Sequence, residues 1–168
     1  MKKLIALAIA IVMMAALAVP AFAVDPTITT SGNTASSIVN FTIGQSFTVT
    51  IPESINIDSN SKTGTGTISA TGNLPNAKEL QVTVSSGDYT TDGNKWMLVA
   101  TTSASVKVEY TITNDEDVAV VNNGVVLEMA NNVTSAQEVL DFEVTGDLVL
   151  ADSYSDTLTF TASLADVT

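Results

Sequence analysis

The chain contains no cysteine, no histidine and no arginine. Without Cys there is no disulfide and no thiol nucleophile, and without His there is no Ser-His-Asp triad. Lacking both, the chain cannot build a His- or Cys-ligated zinc site, and the absence of Arg removes any guanidinium clamp on phosphate. Aromatic residues make up 5% of the chain, with one Trp, so stacking platforms for sugars or bases are scarce. Basic residues are few as well: six lysines stand against 18 acids, a net charge of −12. Such a surface repels nucleic acid and anionic lipid, and it favours solubility and basic or cationic partners. These absences together predict a protein that is not an enzyme and needs no cofactor.

What is present begins with an export signal. Met1, Lys2 and Lys3 make a short basic start, Leu4 through Val19 is an uncharged apolar run, and Pro20 breaks it. Ala21 and Ala23 flank Phe22 as the small residues that a signal peptidase reads, so cleavage is expected before Val24. The apolar run is shorter than the ~20 residues needed to cross a bilayer, which favours a cleaved signal helix over a retained anchor and predicts no membrane association after cleavage. Cleavage also removes Lys2 and Lys3, leaving four lysines against 18 acids, a net charge of −14. The expected organisation is a signal peptide over 1–23, a flexible polar lead over 24–37 and one domain over 38–168. About two-thirds of the unfolded surface of a chain this long is buried on folding, enough for a core without disulfide or metal staples. Neither a lipid-anchored Cys nor an LPxTG-type ending is present, so attachment to a surface is expected to be non-covalent or through polymerisation.

Apolar residues recur with period two, the signature of strands with one dry face. Phe47, Val49 and Ile51 alternate with Ser and Thr, and so do Leu80, Val82 and Val84 with Gln81, Thr83 and Ser85. Val106, Val108, Tyr110 and Ile112 form a third such set; Leu158, Phe160, Ala162 and Leu164 form the last. Further strands are expected at 38–43, 65–70, 95–101, 118–121, 124–129 and 137–150, the last broken near Thr145-Gly146-Asp147. Asp92-Gly93-Asn94, Gly87-Asp88 and Pro75-Asn76 supply turns, and Asn123-Gly124 between Val121 and Val125 reads as the clearest hairpin. The Ser-, Thr- and Gly-rich stretch 59–73 reads as a long hairpin tip. Thr134 to Leu140 carries a weak helical signal, because Ser135 with Glu138 resembles a capping box. The fold class is therefore all-β, an antiparallel two-sheet β-sandwich of immunoglobulin-like or jelly-roll-like kind, with a barrel as the alternative.

Few residues carry chemistry. Asp115 and Asp117, in the run Asn114 to Asp117, are the weak candidates for calcium, and a solvated acidic turn is the favoured reading because adjacent residues on a turn seldom converge on one ion. Asp58 opens a run like a calcium loop but fails it, with Lys62 fifth, Thr63 sixth where Gly is required, and Ser69 twelfth where Glu should sit. Trp96 shares a strand face with Leu98, and core packing is the expected role of the indole. A carbohydrate-binding module is the reading that instead requires an exposed Trp96 with acids beside it.

At the C-terminal end, the run from Tyr154 through Leu158 to Phe160 and Thr161 resembles the Y-x-x-x-L-T-W closing strand of WxL domains, which occur on Gram-positive surfaces. Trp96-Met97-Leu98 resembles the other W-x-L element of that family. Phe160 stands where the family's second Trp would be. The resemblance implies an all-β domain held non-covalently on the cell wall, with Trp96, Leu98, Tyr154, Leu158 and Phe160 as packing or wall-contact residues and a cell-wall polymer as partner. The tyrosine-led final strand is also similar to endings of secreted fimbrial and spore-coat-like β-sandwiches. That likeness implies self-association by donor-strand addition, in which an extended lead completes a neighbour's sheet. Ile28, Val39, Phe41 and Ile43 are then the candidate plugs. Function is expected to be structural or adhesive, at an extracellular cell surface.

Overall fold

A computed structural model describes residues 41–91 and 95–167. The signal segment with Ala21 and Ala23, the lead over 24–37, Ile28, Val39 and the Asp92-Gly93-Asn94 turn lie outside the described residues. No helix occurs among those described. Nine strands follow in order: β1 (Ser46–Thr50), β2 (Thr63–Asn73), β3 (Lys78–Ser86), β4 (Trp96–Ala100), β5 (Ser103–Thr113), β6 (Gly124–Ala130), β7 (Ser135–Val144), β8 (Tyr154–Ser155) and β9 (Leu158–Asp166).

All pairings are antiparallel, and they make two separate sheets rather than a closed barrel. The larger has six strands in the order β1-β2-β7-β5-β4-β8, and the smaller has three in the order β6-β3-β9. The inward residues of the alternating runs meet in one apolar cluster. Leu80, Val82 and Val84 of β3 are fully buried against Val108, Tyr110 and Ile112 of β5 and Leu140 and Phe142 of β7. A β-bulge between Val82 and Thr83 in the β3–β6 pairing turns both Val126 and Leu127 inward. Among the described residues no charged or polar residue is buried.

Several expectations fail for definable reasons. The stretch 59–73, expected as a hairpin tip around a strand at 65–70, is mostly β2, which contains that strand and extends it at both ends; its inward positions begin with Gly64 and Gly66 and so show little apolar period. Those glycines admit the segment 51–57: a Cβ on Gly64 would stand 2.6 Å from the Asn56 carbonyl oxygen, and one on Gly66 would stand 2.8 Å from Ile55 Cδ1. Residues 134–140 belong largely to β7, because pairing with β2 and β5 on either side outweighs a local capping signal. Residues 41–43 are exposed and outside any strand, as are 148–150. Residues 118–121 form only a single bridge, Thr113 to Ala119. That bridge is made by the Val120 N–H to the Ile112 carbonyl and the Asn114 N–H to the Val118 carbonyl, and beyond it the Val120 carbonyl accepts from the Trp96 indole. Asn123-Gly124 therefore does not close a hairpin. Asn123, at φ 64°, donates its N–H to the Val84 carbonyl and delivers β6 to β3.

Candidate functional site: a groove where the sheets are unequal

Six strands face three, so part of the inner face of the larger sheet lies beyond the edge of the smaller one. A groove of about 580 Å³ opens there. Leu98, Tyr110 and Phe142 are lining residues from the larger sheet, Ile55 and Ile57 come from the 51–57 strap, and Leu158 and Phe160 of β9 complete the apolar part. Glu53, Asn56 and Asp156 add polar groups. The size suits a small ligand or a few side chains, and the lining is divided about evenly between apolar and polar surface.

Asp156 sits where the chain leaves β8 in one sheet and enters β9 in the other. Its Oδ2 accepts a 2.6 Å bond from the Tyr110 hydroxyl on β5, and its Oδ1 accepts a 2.6 Å bond from the Ser86 hydroxyl on β3. Ser86 Oγ in turn accepts from the Asp88 backbone N–H at 2.9 Å. One carboxylate thus ties the two sheets together at the end of the groove. Burial, then the bond to Asp156 and its negative charge, pushes the Tyr110 phenol far above its ordinary value. Tyr110 is held as a neutral donor, which suits a tie rather than a proton-transfer role.

Of the WxL-like residues, Leu98, Tyr154, Leu158 and Phe160 line this groove, so the structure brings four of the five together. Trp96 lies apart from them in the core at 2% exposure. Its ring packs edge-on to Tyr89 at 4.9 Å, and its N–H donates to the Val120 carbonyl at 3.0 Å. An indole so placed offers no stacking face to a sugar. Phe41 and Ile43, the described donor-strand candidates, project into solvent at 85% and 65% exposure.

Asp115 and Asp117 occupy an exposed turn organised by Asn114, whose side-chain oxygen accepts from the backbone N–H groups of Glu116 and Val118. The Asp115 N–H donates to Glu138 Oε1 at 3.2 Å. Partial burial raises the Glu138 carboxyl; the bond from the Asp115 backbone opposes that, while the Asp115 side chain and Glu116 push it further up. Among the described residues no group of three or more acidic side chains is arranged to hold a metal. The Asp58 carboxylate accepts from the backbone N–H groups of Asn60 and Ser61, which hold it below the ordinary range and cap a tight turn. Sequence reasoning missed the strap 51–57 and Asp156. The strap's alternation of Ile55 and Ile57 with polar neighbours was the available signal.

No family model matches the chain. No curated protein matches it either. Among solved structures, one similar chain comes from a chaperone-tip adhesin complex described as vital for synergistic activation of CFA/I fimbriae biogenesis, at 16% identity and a TM-score of 0.47. The match covers 71% of this chain and 42% of that one, so this chain spans less than half of the neighbour's length. No helix among the described residues is long and apolar enough to cross a membrane.

Proposed function

We propose that this protein is an exported, non-enzymatic structural or adhesive component of a bacterial cell surface. The observation that carries the reading is the unequal pair of sheets, which leaves a groove of mixed apolar and polar lining beside β9 and so offers a place for another polymer or chain. The amino-terminal export pattern and the Thr- and Ser-rich outer faces of the strands support it. Attachment to the wall in the manner of WxL proteins would use Leu98, Tyr154, Leu158 and Phe160, with Trp96 as core packing apart from them. Sedimentation of the chain beginning at Val24 with isolated cell walls tests this. Co-sedimentation that falls when Tyr154 is replaced by Ala supports wall attachment, and recovery entirely in the supernatant overturns it.

A second reading, a self-associating fibre subunit, is favoured by the exposed Phe41 and Ile43 next to β1 and by the open edge of β9. Light scattering on the same chain across a concentration series separates the two. Assembly supports the subunit, and a monomer at every concentration counts against it.

A further inference from the structure

The groove beside β9 carries charge of one sign. Glu53 and Asp156 are the charged residues of its lining, and no lysine lies among them. Both of its tyrosine hydroxyls spend their protons elsewhere. Tyr110 donates to Asp156 at 2.6 Å, and Tyr154 donates to the Leu150 carbonyl at 2.7 Å. Hydrogen-bond acceptance is what remains on offer. The Glu53 carboxylate, exposed on the 51–57 strap, has no hydrogen-bond or ion-pair partner among the described residues. Asp156 accepts two hydroxyl protons, and an ionised carboxylate has room for further donors. The ligand that matches this inventory is itself a donor and carries positive charge.

Two long side chains meet that description, and the site distinguishes them. Arginine is favoured where its fork reaches both oxygens of one carboxylate. At Asp156 each oxygen already holds a 2.6 Å bond, one from β5 and one from β3, so the fork finds no free pair. A lysine ammonium is a point charge that needs one lone pair, and it stands on a flexible four-carbon stem. Such a stem packs along apolar surface while its head stays with polar groups. Leu98, Phe142, Leu158 and Phe160 supply that surface in the same groove.

Charge also selects the bearer. A second copy of this chain would bring its own large negative charge to the contact, and its Lys78, Lys95 and Lys107 are already ion-paired to Asp166, Glu109 and Asp88. A basic segment of a different protein meets no such repulsion and gains by steering.

We propose that the groove binds a lysine side chain presented by a basic segment of a partner protein, with its stem against the apolar wall and its ammonium directed to Asp156 and Glu53. The proposal rests on the adhesive reading and names the chemistry of the partner.

NMR titration of the chain beginning at Val24 tests it, with an end-blocked glycine-serine pentapeptide bearing one central lysine as the probe. The amide signals of Ser155 to Leu158 are expected to shift, with an affinity about tenfold above that of the same peptide bearing norleucine. The arginine peptide is expected to bind more weakly than the lysine peptide; equal or tighter binding overturns the choice of lysine. Glu53→Gln, which removes a charge without disturbing any contact, should weaken lysine binding by about threefold, as for an exposed ion pair. Glu116→Gln, at the distant acidic turn, should leave it unchanged. If norleucine binds as well as lysine, or if the two substitutions weaken binding equally, the attraction does not belong to this groove and the proposal is overturned. Sedimentation of the same chain with isolated cell walls keeps the two readings apart. Co-sedimentation without lysine-dependent shifts overturns the proposal and leaves the adhesive reading standing. Lysine-dependent shifts in a chain that stays in the supernatant uphold the chemistry of the groove and overturn wall attachment.

Discussion

Asp156 accepts one hydroxyl from each sheet, and the two bonds have different dependents. Removing the carboxylate strands the mostly buried Tyr110 phenol, whereas Ser86 retains its bond to the Asp88 backbone. Asp156→Ala is expected to lower stability by about 1–3 kcal/mol, read as a lower urea midpoint. The raised phenol of Tyr110 sets a direction for pH. A folded-state value above the unfolded one means that the folded chain holds its proton more firmly, so the contribution is complete below about pH 10 and is lost progressively above it. The urea midpoint of the wild type should fall above pH 10 more steeply than that of Tyr110→Phe. Glu138 has the same sign with a different outcome, because a carboxyl raised in the folded state opposes folding at neutral pH and ceases to do so once protonated. Glu138→Gln keeps an acceptor for the Asp115 N–H. It should stabilise by a few tenths of a kcal/mol at pH 7, given solvent screening, and by nothing at pH 3, as thermal melts at the two values would show.

Among the elements, β2 is the one whose local composition least resembles its structure. Gly64 and Gly66 weaken a strand by ordinary propensity, and they are tolerated because the 51–57 strap lies where their side chains would be. The two positions should differ. Alanine at 64 meets a backbone carbonyl, which cannot move without shifting the strap, whereas alanine at 66 meets the flexible end of Ile55. Gly64→Ala is expected to cost more, on the order of 1–3 kcal/mol, and Gly66→Ala less, as paired denaturation curves would reveal. The contrast also explains what could be read in advance. β1, β3, β5 and β9 were legible because their alternation comes from side chains that pack against another sheet. β2 was legible only in part, as a strand over 65–70, because the inward face of its first residues is shaped by the approach of another segment; 118–121 was misread because its pairing with β5 stops at one bridge and the Val120 carbonyl accepts from Trp96 instead of continuing a ladder. At the groove, Leu98, Tyr154, Leu158 and Phe160 were singled out by pattern. Asp156 was passed over, since a single acid among 18 carries no signal until the crossing between sheets places it.

On the scale of the whole molecule, the all-β, two-sheet architecture followed from period and composition, while the inequality of the sheets did not. Strand count can be read along a chain, but the partition of strands between sheets depends on which edges meet. That partition turns a symmetrical-looking pattern into a molecule with a covered end and an open one.

The placement of lysines has a consequence for resistance to proteolysis. Trypsin-like proteases need a lysine or arginine in a segment that can extend into their cleft, and arginine is absent. Lys78 and Lys107 lie within β3 and β5 and are ion-paired to Asp166 and Asp88; Lys95 is paired to Glu109 and bridged to Thr90. Lys62 alone stands in an exposed turn, at φ 61°. Limited digestion of the native chain beginning at Val24 should therefore stop after one cut, following Lys62, with β1 still seated on β2 until denaturant is added. Mass spectrometry before and after unfolding would read both steps. A molecule exposed to digestive enzymes would then be nicked at the turn between its strap and β2 long before it is dismantled.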